Sequence, residues 1–271
     1  MGITLYKNAD WILTVNEKRE KFRHGDLLIS GKEILDVGND LEKKYAGKLQ
    51  IDKTIDAKGT VILPGFVNVH HHTWQSLIRN IQATRGLKLE PWLTVMYEIY
   101  KDLNTDVARA GVYSGLGDML KTGCTTSNDL WYPHPVGVKY LVDAEIQAAA
   151  EIGIRFHPTR GFHSVPSDIV PPEVVDTKES VTEDTIRLVK MYHDRSRFSM
   201  CQVGIAPSIA QYETEDIIEA VVDLAEEYDI MVHGHLAESQ HEVEYTLKTW
   251  GCRPFEWFKR HRLLGKRFYF A

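Results

Sequence analysis

The 271-residue sequence holds only three cysteines, Cys124, Cys201 and Cys252, and no two of them form a CxxC pair. So sparse and odd a set argues against a disulfide framework and fits a reducing compartment. No run approaches the ~18 apolar residues that a membrane-spanning helix needs. The N-terminus "MGITLYKNADWILTV" has no basic start followed by an apolar core, so a secretory signal is not expected. Positive charge is not in excess. The net charge of −6 gives no reason to expect nucleic acid or a membrane surface as partner. No GxGxxG follows the first strand of the larger region, which weakens a dinucleotide-binding reading. What is present, 43% hydrophobic and 26% charged residues, is the composition of an ordinary soluble globular protein, expected in the cytoplasm. The length suffices for one large core or for two domains.

Residues 1–60 read as short strands and turns. "ITLYKNADWILTV" gives two β-rich pieces around Asn8, Ala9 and Asp10, and "GDLLISGKEILDVG" gives two more around a Ser30–Gly31 turn. From Val61 onward, residues 61–271 alternate apolar β-rich runs with helical stretches, the pattern of βαβ units and a parallel sheet. Six strands are expected, centred near residues 66, 128, 156, 204, 232 and 269. Thr214 is placed to cap a helix running through Ala225, and Gly123 and Gly153 sit where helices should stop. The C-terminal ends of these strands carry His70, His72, Asp129, Arg160, Ser208, His235 and Glu238. Chemistry at such ends is the barrel pattern, although a doubly wound sheet also places ligands there.

The stretch "LPGFVNVHHHTWQSL" puts three consecutive histidines after an apolar run. Side chains alternate along a strand, so His70 and His72 point one way and can grip one ion, while His71 points the other. A second cluster, "VHGHLAES", has His233 and His235 on one face, with Glu238 three residues after His235. Neutral imidazoles suit zinc or iron(II), and a nearby carboxylate can carry protons. Spacing does not choose between His233 and His235. Position favours His235, nearer the mouth of the sheet, and leaves His233 as a deeper core or supporting histidine.

These motifs carry a resemblance. "LPGFVNVHHH" resembles the PGFxxxHxH motif of the amidohydrolase superfamily, and "VHGHLAES" its fifth-strand HxHLAE. "NVHHHTWQSLIRN", "LKTGCTTSNDLWY", "EIGIRFHPTRGFHSV" and "HGHLAES" occur in the order found in its cytosine-deaminase-like branch, nearest the 8-oxoguanine deaminase and hydroxy-triazine aminohydrolase group. The resemblance implies an α/β fold: a metal-dependent hydrolase TIM-type (β/α)8 barrel, with about six strands present, behind a small, incomplete N-terminal β-sandwich domain. It implies one divalent metal, zinc or else iron, on His70, His72 and His235, with Glu238 as the catalytic proton carrier. A strand-eight aspartate and a histidine after strand six would complete the family's site. The sequence ends "FYFA" before either, so it is expected to be a shortened form of a longer protein. The implied partner is a small heterocyclic substrate, and the implied assembly of the full protein is a homo-oligomer, dimer or higher.

The expected reaction is hydrolytic deamination of an amino-substituted purine, pyrimidine or triazine ring, 8-oxoguanine-like as the best fit. A chlorohydrolase, an N-dealkylating triazine hydrolase or a cyclic amidase of the same superfamily would use the same groups. The alternative from another class is a catalytically inactive fragment. For substrate contacts, Trp74 and Gln75 can stack on and hydrogen-bond a planar base or else pack at a helix start, Arg160 can bind a ring carbonyl, and His163 and Asp129 hold comparable strand-end positions. His134 reads as a loop histidine, Cys201 as core, and the Trp92–Met96–Tyr97–Ile99–Tyr100 group as helix packing that could also help shape the pocket.

Overall fold

A computed structural model describes residues 2–271. The chain forms two compact units, one ending at Gly65 and one spanning Phe66–Ala271. In the first, strands β1 (Ile3–Leu13), β2 (Lys21–Ser30), β3 (Glu33–Gly38), β4 (Lys53–Asp56) and β5 (Val61–Ile62) accompany a short helix α1 (Leu41–Tyr45). They make one mixed sheet, ordered β3-β2-β1-β4, with β5 also paired to β1. β2 and β3 form an antiparallel hairpin with Ser30 opposite Glu33, around the turn the sequence marks. The residues flanking Asn8 are not two strands. They form one strand with an irregularity between Tyr6 and Ala9, where Asn8 has φ 62°. The buried Asp26 carboxylate accepts the Asn8 N–H at 3.1 Å and the Leu41 N–H at 3.0 Å, which holds the bulge without ending the strand.

The second unit has strands β6 (Phe66–Asn68), β7 (Cys124–Trp131), β8 (Arg155–Phe162), β9 (Gly204–Pro207), β10 (Val232–Gly234) and β11 (Phe268–Phe270). Each expected strand centre lies inside one of them. All five pairings are parallel, and the sheet order is the chain order. A doubly wound sheet reverses order at a switch point, whereas an unbroken succession of neighbours is barrel winding. The helices are α2 (Leu89–Tyr100), α3 (Thr105–Lys121), α4 (Leu141–Ile152), α5 (Lys178–Tyr192), α6 (Glu215–Tyr228), α7 (Gln240–Trp250) and α8 (Pro254–Arg260). Gly153 ends α4 in the left-handed conformation, as its position suggests. Thr214 precedes α6 without a side-chain cap; its hydroxyl pairs instead with the Asp216 carboxylate, and the helix runs on to Tyr228.

The core explains the continuous apolar texture of the strands. Val203, Ile205 and Val232 are fully buried, together with Ile217, Val221 and Val222 of α6. Strands covered on both faces need no polar alternation. The exceptions are the two ends of the sheet order: β11 is half-buried, and in β6 Phe66 and Val67 stay 60% and 63% exposed.

Candidate metal centre

His70 and His72 follow β6, and His235 follows β10, four places away in the sheet order. The sheet nevertheless curls enough to bring the His70 and His235 rings to 5.0 Å and the His72 and His235 rings to 5.3 Å. One potential ligand atom from each of the three lies within 4.8 Å of the others. His71 takes no part in this group. Its ring lies against α3, where a Cβ added at Gly115 would stand 3.2 Å from its Cε1.

The backbone orients two of the rings. His72 Nδ1 donates to the Leu130 carbonyl at 2.7 Å, and His235 Nδ1 donates to the Ser208 carbonyl at 2.8 Å. A carbonyl only accepts, so each Nδ1 carries the proton and each Nε2 presents a lone pair. Those two Nε2 atoms are 3.3 Å apart. Two ligands about 2.0 Å from a tetrahedral zinc stand roughly 3.3 Å from each other, so this pair fits such an ion. For His70 the Nδ1 partner is a side chain, His233, at 2.7 Å.

Electrostatics favour the uncharged form that a ligand needs. Burial, and then the neighbouring His235, lowers His70 to about 4. Burial likewise holds His72 well below the usual imidazole range and lowers His235. Glu238 stands beyond His235, where Ala237, at φ 58°, turns the chain ahead of α7. The Glu242 carboxylate accepts the Glu238 N–H at 2.9 Å and Ser239 caps the helix, fixing this turn. Partial burial and then Glu90 push the Glu238 carboxyl above its ordinary value.

The three histidines and Glu238 line a pocket of about 350 Å³. Gln75 and His163 also line it. Gln75 Nε2 donates to the Tyr100 hydroxyl at 3.0 Å, and His163 Nε2 lies 2.5 Å from the Tyr97 hydroxyl. The other three expected substrate contacts lie outside this wall. Trp74 is fully buried, with ring neighbours Tyr100, Trp131 and Tyr132, and packs behind His72. Asp129 is buried and accepts the Thr73 N–H at 2.5 Å, so it braces the histidine segment from behind. Arg160 is engaged by Asp176 at 2.7 Å and Asp184 at 3.0 Å, and borders a separate cavity. Its burial is satisfied by carboxylates, with no need of a substrate oxygen.

Sequence reasoning overlooked Glu90, Tyr132, Gln211 and Tyr212 in the pocket wall. Tyr132 directly follows β7, a strand-end signal that was available. Glu90, in the first turn of α2, and the short turn holding Gln211 and Tyr212 gave none. His134 and Cys201 lie outside this wall.

The sequence profile described as Amidohydrolase family matches residues 61–264. An 8-oxoguanine deaminase of Pseudomonas aeruginosa is 31% identical over 219 residues, covering 80% of this chain and 49% of that protein. A hydroxydechloroatrazine ethylaminohydrolase of Pseudomonas sp. strain ADP is 27% identical, covering 98% of this chain and 57% of its own. The chain thus spans about half the length of the curated relatives it matches. Among solved structures, atrazine chlorohydrolase TrzN from Arthrobacter aurescens TC1 complexed with zinc superposes with a TM-score of 0.86 at 24% identity, over 95% of this chain and 58% of that one. Guanine deaminase from E. coli gives a TM-score of 0.76 at 21% identity, over 98% and 60%.

Proposed function

The chain belongs to the amidohydrolase family, and on that premise we propose that it provides the metal-holding part of an enzyme that hydrolytically removes an amine from a planar nitrogen heterocycle. The observation carrying this reading is the convergence of His70, His72, His235 and Glu238 on one pocket. A divalent ion, zinc best matching three imidazoles, would supply a water acidic enough to react near neutral pH. Glu238 would take one proton from the attacking water and deliver it to a ring nitrogen, then carry the second, from the added hydroxyl, to the amine as its C–N bond breaks. Gln75, its amide nitrogen already held by Tyr100, offers its oxygen to a ring N–H. Tyr132 and Tyr97 offer aromatic surface and His163 a neutral imidazole, which burial lowers to about 3.

Within the pocket wall the acidic side chains are Glu90 and Glu238, and none of the described lining residues is Lys or Arg. That charge pattern favours an uncharged base rich in N–H donors over a substrate bearing a carboxylate. Among such bases the similarity to an 8-oxoguanine deaminase puts an 8-oxoguanine-like purine first, and that to a hydroxydechloroatrazine ethylaminohydrolase puts a hydroxy-triazine next. The test is a panel of 8-oxoguanine, guanine, isocytosine, cytosine and hydroxy-triazines, with ammonia release followed before and after chelation. Release that is lost with chelator, restored by zinc and lowered about 10²–10⁴-fold by Glu238→Gln supports the reading. Release indifferent to metal and to Glu238 contradicts it. A second reading, metal binding without turnover, corresponds to zinc uptake with no ammonia from any substrate.

A further inference from the structure

We propose that His233 is a positioning residue that dictates which nitrogen of His70 faces the metal. The inference rests on His70 being a ligand, but assigns a role to a side chain outside the ligand set. His72 and His235 are oriented by backbone carbonyls, which can only accept. His70 alone among the three is oriented by another imidazole, whose facing nitrogen could in principle donate or accept.

The state of His233 follows from its other side. His233 Nδ1 lies 2.9 Å from the Tyr269 carbonyl, so Nδ1 carries the proton and Nε2 holds a lone pair. That lone pair faces His70 Nδ1 at 2.7 Å, and it must accept; His70 is thereby protonated on Nδ1 and bares Nε2. The ring of His233 is held against rotation by its stack on Tyr269, at 4.1 Å between centroids and 11° between planes. Parallel pairing of β10 with β11 puts the two residues in register. The Tyr269 hydroxyl in turn accepts from Asn128 Nδ2 at 2.9 Å, tying the stack to β7. A fixed series of single protons therefore runs from the Tyr269 carbonyl through His233 to His70. A leucine at 233 fills similar space but cannot accept, leaving the His70 ring free to turn or change tautomer.

The experiment compares zinc affinity, by competition with a chromophoric chelator, for the unmodified chain, His233→Leu, His233→Gln and His70→Ala. Groups that hydrogen-bond the far nitrogen of a ligating histidine are worth about 10–100-fold in affinity, so His233→Leu should weaken zinc by that factor. His233→Gln, whose side-chain oxygen can accept from His70, should recover most of the loss. Loss with His70→Ala but unchanged affinity with His233→Leu overturns this inference alone, whereas unchanged affinity with His70→Ala overturns the metal-centre reading beneath it. Should the leucine variant not fold, nitrogen chemical shifts of ¹⁵N-histidine-labelled, metal-free chain decide. The proposal requires His70 protonated on Nδ1, and the Nε2-protonated form contradicts it.

Discussion

Thr73, directly after the ligand His72, shows how single residues behind the pocket hold the site. Its N–H donates to Asp129 and its hydroxyl to Glu145, both fully buried. Two carboxyls cannot both ionise there. Burial raises Asp129, while burial and then the charge of Asp129 raise Glu145. An unfolded carboxyl ionises above about pH 4, but the folded pair keeps a proton to higher pH. The unfolded state then binds fewer protons across that interval, so this pair makes stability fall as pH rises. Glu145→Gln keeps an oxygen for Thr73 and has nothing to ionise. Urea unfolding should show the variant gaining on the native chain between pH 5 and pH 8, by up to about 1.4 kcal/mol per pH unit while the native proton is retained. An identical difference at both pH values would argue that the pair shares no proton.

Among the elements, the strand-end segments decide whether three distant histidines meet. A Cβ built on Gly234 would stand 2.5 Å from the Pro207 carbonyl oxygen, a backbone atom that cannot step aside. β10 can approach β9 this closely only with glycine there. Gly234→Ala is therefore expected to destabilise the chain by about 1–3 kcal/mol and to displace the adjacent His235, weakening zinc as well. Thermal unfolding and zinc titration of the variant check both; native values for both would sink this account of the strand. The elements also show what the sequence disclosed. Strands covered on both faces stand out as apolar runs, which is why their centres were legible. Period-two alternation separated His71 from its neighbours. The same strand-end logic does not tell which face a side chain takes at Asp129 and Arg160, since a strand end has an outer face as well as an inner one. Asp129 meets the Thr73 segment and Arg160 meets Asp184 of α5, contacts set by helices far off in sequence. Glu90 and Tyr212 reach the pocket through tertiary packing, which no local spacing announces.

On the scale of the whole molecule, the chain joins a mixed β unit and a six-stranded parallel sheet in barrel order, with every proposed ligand in the second unit. Among the described residues no helix is long and apolar enough to cross a membrane. Because zinc would bind the folded sheet, where β6 and β10 are brought together, and not the separated strands, it should raise the unfolding temperature with increasing concentration. The most direct test of the metal centre is X-ray absorption at the zinc edge on the reconstituted chain and on His235→Ala. One zinc per chain with three imidazole nitrogens at about 2.0–2.1 Å, falling to two in the variant, is the predicted result. Zinc in an environment that the variant leaves unchanged would contradict it.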